Sequence, residues 1–203
     1  MNNKSSTEIV QSLVLRAKKA QSIFVNFNQN QVDEVVTAVA WALCKPSNNN
    51  KISNLAVSQT GLGNPEDKIL KNKRKTLGLL RDLKNVKTVG IINEDKKKKI
   101  IEIAKPVGVV AAVTPSTNPA ATPINNIINA LKTRNSIIVS PSPAGSKVFI
   151  DLLVLINIEL KKIGAPKDLI QTFDCDVTKE LTNELMKNVD LVIVTGSLNN
   201  VKE

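Results

Sequence analysis

The stretch Lys105-Pro-Val-Gly-Val-Val-Ala-Ala-Val-Thr-Pro-Ser-Thr-Asn-Pro119 carries the information that decides the fold class. Residues 109–113 form a short apolar run rich in valine, the pattern of a strand buried on both faces. Pro115 and Pro119 then bracket a polar loop. In α/β proteins such a loop lies at the carboxyl edge of the sheet, where ligands bind. Three further apolar runs follow, at 136–140, 170–173 and 191–194. Helical patterns at 123–132, 145–163 and 178–187 separate them. Strand–helix alternation of this kind predicts a parallel sheet with right-handed crossovers.

The residues upstream have a different texture. Ile9, Leu13, Ala17, Ala20 and Phe24 recur at helical spacing over 4–27, and Val32, Val35, Val36, Val39 and Leu43 repeat the pattern. Pro46-Ser-Asn-Asn-Asn50 is expected to stop this second helix, with a short helix over 52–60 after it. Asn64-Pro65-Glu66-Asp67 reads as a helix start, with an N-cap, a proline at the first position and acids in the first turn. Ile69, Leu70, Leu77, Leu80 and Leu83 are expected to form the apolar face of that helix. Segments 87–92 and 99–103 read as a hairpin or paired arm around an Asn93-Glu-Asp-Lys96 tip, with the four lysines Lys96 to Lys99 explained as a solvated hairpin tip. The expected division is therefore a helical part over 1–86, a β arm over 87–105 and an incomplete dinucleotide-binding domain over 106–203.

Composition narrows the function. The chain has 203 residues and no histidine, which excludes a Ser-His-Asp triad within it. The net charge of +10 invites a polyanion-binding reading. Lysines are scattered, however, and aromatic residues make up only 2%, so there is little on which bases could stack. No nucleic-acid partner is expected. No apolar run reaches the ~18 residues that span a bilayer, and no signal-peptide pattern opens the chain, so the expected location is cytoplasmic. The two cysteines, Cys44 and Cys175, show no metal-ligand or disulfide spacing. Cys44 sits in an apolar helical pattern and reads as a small buried hydrophobe. Cys175 lies between Asp174 and Asp176, which raise a thiol pKa rather than activate it.

Three loops could carry chemistry. In Thr114-Pro-Ser-Thr-Asn-Pro119, Asn118 could aim its amide at a developing oxyanion. The same letters also read as a turn in which Ser116, Thr117 and Asn118 only cap the next helix. Ser140-Pro-Ser-Pro143 follows the second strand, where the ribose of a nucleotide would lie, and equally reads as a rigid loop exit. Thr195-Gly196-Ser197 follows the last strand and would open a helix whose N-terminus favours phosphate. It reads as well as an ordinary strand-to-helix turn, since the full glycine fingerprint is absent.

Together, Thr60-Gly-Leu-Gly-Asn-Pro-Glu-Asp-Lys-Ile-Leu-Lys-Asn72, the run 103–123 and Ala130-Leu-Lys-Thr-Arg-Asn-Ser-Ile-Ile-Val-Ser-Pro-Ser-Pro143 resemble the CoA-acylating branch of the aldehyde dehydrogenases. The resemblance covers nearly the whole chain. It implies an aldehyde dehydrogenase-like α/β fold, with an incomplete Rossmann-like sheet preceded by helices and a β arm. It also implies a reaction in which a cysteine thiolate attacks a short aldehyde. The thiohemiacetal is then oxidised to a thioester by NAD or NADP, and coenzyme A takes the acyl group. Asn118 matches the asparagine that holds the oxyanion. Thr114, Pro115, Ser140, Pro141, Ser142, Thr195, Gly196 and Ser197 match segments beside the cofactor. Ser142 and Ala144 stand where some relatives carry His and Arg, which leaves the choice between NAD and NADP open.

Neither cysteine matches the family nucleophile, which lies beyond Glu203 in the family pattern. The chain is therefore expected to be the N-terminal part of such an enzyme, inactive alone, acting as a homo-oligomer or with a complementary C-terminal half. A non-catalytic nucleotide-binding or interaction module is the alternative.

Overall fold

The computed structural model of the protein describes residues 5–197. Four helices come first: α1 (Ser6–Phe24), α2 (Gln29–Cys44), α3 (Pro46–Thr60) and α4 (Pro65–Leu83). Strands β1 (Gly90–Asp95) and β2 (Ile100–Ala104) follow. The rest alternates as β3 (Val109–Thr114), α5 (Ala121–Lys132), β4 (Ser136–Pro141), α6 (Pro143–Lys162), β5 (Ile170–Gln171), α7 (Lys179–Lys187) and β6 (Leu191–Val194). The expected α/β architecture is present: β3 to β6 form one parallel sheet in the order β5-β4-β3-β6.

Strand β3 lies between β4 and β6 and is covered on both faces. Val109 and Ala111 point to a cluster with Val10, Leu13, Val14 and Ala17 of α1 and Leu181 and Leu185 of α7. Val110 and Ala112 point the other way, toward Ile124 and Ile127 of α5 and Phe149 and Leu152 of α6. This is the period-two alternation of a strand with no solvent face. Helix α2 packs over α5 and α6 through Val32, Val35, Val36 and Val39. The N-terminal helices therefore share a core with the sheet.

The start of β3 is pinned by side chains. Asn135 Oδ1 accepts the amides of Val107 and Gly108 at 2.7 and 2.9 Å. Asp190, just before β6, accepts the Val109 amide at 2.7 Å. These bonds replace ladder partners that the strand start lacks. Gly108 has φ +130°, and a Cβ there would collide with the Asp190 carboxylate.

Several sequence-based expectations are corrected. Pro46-Ser-Asn-Asn-Asn50 does end α2, whose last residue is Cys44, but the next helix starts earlier than the expected 52: the segment is the first turn of α3, with Pro46 at N1, where a missing N–H costs nothing. Asn49 is buried, donates to the Ile69 carbonyl at 3.0 Å and accepts from Asn72 at 3.0 Å. A polar network thus holds α3 to α4. The expected leucine face of α4 is present in part: Leu80 and Leu83 pack against the core, and the first half of the helix turns a polar face inward. Lys68, Asn72 and Thr76 are buried, while Leu70 is 66% exposed and Leu77 is 43% exposed. The hairpin exists, antiparallel, but its strands run on to Asp95. The tip is therefore the lysine run 96–99, with Lys99 at φ 56° and Asp95 Oδ1 accepting the amides of Lys97 and Lys98. Strand β5 is shorter than the expected 170–173. Among the described residues no helix is long and apolar enough to cross a membrane.

Gly108→Ala is expected to destabilise the protein by about 2 kcal/mol or more, since it combines an unfavourable φ with overpacking against Asp190. Chemical denaturation would measure it. Asp190→Gly in the same background should recover part of the loss by removing the colliding carboxylate.

Candidate functional site

The carboxyl ends of β3, β4 and β6 are in register. Val113 pairs with Ser140 on one side and Val194 on the other, and Thr114 pairs with Pro141. The loops beyond are tied together by backbone bonds: Ser142 N donates to Thr114 O at 2.9 Å, and Thr195 N donates to Val113 O at 3.0 Å. All three sequence-selected loops therefore line one cleft of about 900 Å³, with Thr114, Pro115, Asn118, Ser140, Pro141, Ser142, Thr195, Gly196 and Ser197 all on its wall. The chain moves from β3 to β4 and β5 on one side and returns to β6 on the other. The cleft thus sits at the reversal of strand order, the place where open α/β sheets bind ligands.

The loop after β3 separates the two readings of Asn118. Helix α5 begins from Ala120 with no side-chain cap, so Ser116, Thr117 and Asn118 do not cap it with their side chains. The Asn118 carbonyl accepts the Thr122 amide at 3.3 Å, while its side-chain amide makes only a 3.4 Å contact to Thr117 Oγ1. The carboxamide is left for the cleft. The loop is braced on both sides. Lys68 Nζ, largely buried, lies 3.4 Å from Thr117 O. Burial lowers the Lys68 pKa, and neighbouring Lys71 lowers it further. On the other side Pro119 packs against Gly145 of α6, where a Cβ would lie 3.1 Å from Pro119 Cβ and 3.0 Å from Ser142 Oγ. Close packing at Gly145 was not legible in the sequence, because Pro119 lies 26 residues earlier in the chain.

The loop after β4 is more structural than its sequence suggests. Ser140 is buried and its hydroxyl lies 2.8 Å from Thr182 Oγ1. Thr182 already donates to the Thr178 carbonyl at 3.0 Å, so Ser140 is the donor in that pair. Ser142 is the N-cap of α6 and accepts the Gly145 amide at 3.2 Å, with Pro143 at N1. The loop is thus an extended exit, with Ser142 at φ −59° and ψ 152°, that ends as a capped helix start. Thr195, Gly196 and Ser197 are exposed after β6; the helix expected to open there lies outside the described residues.

The polar groups of the cleft wall include one that is unsatisfied. Thr114 is buried, its hydroxyl has no partner among the described residues, and it stands on the cleft wall. The lining includes Lys75 and Lys179 and no carboxylate among the described residues. An orphaned buried hydroxyl and a cationic rim are what a phosphate-bearing ligand would satisfy.

Neither cysteine lines the cleft. Burial raises the Cys44 pKa. Cys175 is exposed, and partial burial together with Asp174 and Asp176 pushes its thiol up. Both stay in the unreactive thiol form near neutrality.

The sequence profile of the aldehyde dehydrogenase family matches residues 2–203. This chain belongs to that family. It is 52% identical to the acylating sulfoacetaldehyde dehydrogenase of Cupriavidus necator, over 98% of this chain and 40% of that protein. Among solved structures, the acetylating aldehyde dehydrogenase of Geobacillus thermoglucosidasius superposes with a TM-score of 0.91 at 38% identity, covering 97% of this chain and 43% of that one. A Rhodopseudomonas palustris propionaldehyde dehydrogenase with bound propionyl-CoA gives a TM-score of 0.83 at 29% identity, over 95% and 42% of the two chains. These relatives belong to the CoA-acylating branch, as the sequence resemblance implied. The chain spans about two fifths of the length of the relatives it matches.

Alkylation of Cys175 by iodoacetamide at pH 7 should be slower than that of a free thiol and should speed up as pH rises, because a raised pKa leaves less thiolate at neutrality. Asp174→Asn should accelerate it at pH 7. Mass spectrometry of the modified peptide reads both outcomes.

Proposed function

We propose that this chain supplies the oxyanion-binding and cofactor-binding part of a cytoplasmic NAD(P)-dependent acylating aldehyde dehydrogenase, which converts a short aldehyde and coenzyme A to an acyl-CoA. The observation that carries this reading is the uncommitted Asn118 carboxamide, held by a braced loop in the same cleft as the strand ends that would receive the dinucleotide. The similar proteins are acylating enzymes, and one of them holds propionyl-CoA.

In this reading Asn118 Nδ2–H donates to the aldehyde oxygen as it takes on negative charge during thiolate attack. A fixed donor of that kind acts on the transition state more than on the neutral carbonyl. Thr114 and the loop 140–143 would hold the cofactor, with Ser140 and Ser142 shaping the loop through their bonds to Thr182 and Gly145. Lys179 and the start of α7 would face its phosphates. NAD or NADP supplies the hydride acceptor when bound. The nucleophile is not one of the two cysteines described above, since neither lines the cleft and both have raised pKa values. The hairpin β1–β2 exposes Ile91, Ile92, Ile100, Ile101 and Ile103, which suits an arm that joins copies of the enzyme.

In the protein expressed from its complete reading frame, Asn118→Ala should lower kcat for CoA-dependent NAD(P)H formation by about 10²–10³-fold with little change in cofactor affinity. A kcat within a few fold of the parent would remove Asn118 from the role.

The double change Cys44→Ala and Cys175→Ala should keep that activity, while the isolated 203 residues should show none. Turnover by the isolated chain would overturn this assignment of the nucleophile. Dinucleotide binding without turnover by the complete protein would favour a non-catalytic module instead.

A further inference from the structure

Lys68 brings a charge into the fold with no opposite charge to meet it. The residue is 8% exposed, on the buried face of α4. Among the described residues no carboxylate forms an ion pair with it. Asp67, its neighbour in the chain, instead accepts from the Asn64 side chain at 2.7 Å. The ammonium meets the Thr117 carbonyl at 3.4 Å. Burying an ammonium on these terms is costly, and burial first, then Lys71, lowers its pKa. A methionine would fill the same space without that cost, so it is the charge, not the stem, that calls for a reason.

The surroundings fix where the ammonium lies. The turn at Gly63, with φ +72°, passes close enough that a Cβ there would stand 3.8 Å from Lys68 Cε and 3.9 Å from Nζ. One helical turn further along α4, Asn72 donates to Asn49 and Ser53 of α3 at 3.0 and 3.2 Å.

The group it meets is the peptide that leads into Asn118. The Thr117 carbonyl and the Asn118 amide share one rigid plane. The peptide after it is held from the other side, where the Asn118 carbonyl accepts the Thr122 amide of α5 at 3.3 Å. Asn118 therefore hangs between two anchored peptide planes, and these set the direction of its Cα–Cβ bond. Its carboxamide makes only the 3.4 Å contact to Thr117 Oγ1, so the backbone, rather than bonds of its own, aims it.

We propose that Lys68 is a positioning residue for the oxyanion donor: its ammonium anchors the Thr117 carbonyl and so aims the Asn118 carboxamide into the cleft. The inference rests on the reading of Asn118 as that donor. Such a donor works only when held within about 0.5 Å of its productive position. A charged donor holds a carbonyl about twice as strongly as a neutral one, which is what the buried cation supplies.

The test is a double-mutant cycle in the protein expressed from its complete reading frame, read as kcat for NAD(P)H formation with sulfoacetaldehyde and coenzyme A. Lys68→Met should lower kcat about 10-fold, with the KM for the dinucleotide within a few fold of the parent. Lys68→Arg, which keeps the cation, should recover most of that loss. In an Asn118→Ala background, Lys68→Met should cost less than about twofold, because no carboxamide is left to aim. The same loss in both backgrounds is what a general structural role gives, and it overturns the inference, as does a parental kcat in Lys68→Met. If Lys68→Met does not fold, Lys68→Gln runs the same cycle and the same outcomes decide. Asn118→Ala with parental kcat, or a parent without CoA-dependent turnover, shows that the underlying reading has failed, and each does so before Lys68 is changed.

Discussion

Strand β3 is the constraint on which the rest depends. It is paired on both edges and buried on both faces, so displacing it would break two ladders and disturb the apolar packing on each side. Its amino end is fixed by Asn135 and Asp190, and its carboxyl end delivers the chain directly into the loop that carries Asn118. Ser142 and Thr195 donate to the last carbonyls of β3, so the loops after β4 and β6 are tied to its carboxyl end. Strand pairing sets where the three loops meet, and the contacts of Lys68 and Pro119 brace the loop that carries Asn118.

The helices on the two faces contribute unequally to the site. Helix α1 and helix α7 cover one face, and α7 also closes the cleft through Thr178, Lys179 and Thr182. On the other face α5 and α6 start at the cleft and are overlaid by α2. Helix α4 lies farther from the sheet, yet it reaches the site through two lysines. Lys68 is largely buried and supports the Asn118 loop from behind, while Lys75 remains exposed and faces the ligand space. The polar network of Asn49, Ser53 and Asn72 holds α4 on α3 in that orientation.

Much of this was legible in the chain itself. The apolar runs located the sheet strands, and the cap at Asn64 with the proline at position 65 set a helix start, because these signals act within a few residues. The resemblance carried by residues 60–72, 103–123 and 130–143 led to the family and to the loop with Asn118. Two local readings failed where distant partners decided the outcome. Asn48 to Asn50 looked like a break, but Asn49 finds Ile69 and Asn72 and is absorbed into a helix. The arm extends to Asp95 because cross-strand bonds to Ile100 outweigh the turn preference of Asn93.

The sequence by itself determined the order of elements, the parallel sheet and which loops lie at its carboxyl edge, since periodicity and capping are written in neighbouring residues. Only the tertiary structure decided that Asn118 does not cap α5, that the Ser140 hydroxyl is committed to Thr182, and that Lys75 of α4 reaches the cleft wall. Each of those facts depends on which side chain from another element occupies the space nearby, and no spacing along the chain encodes that.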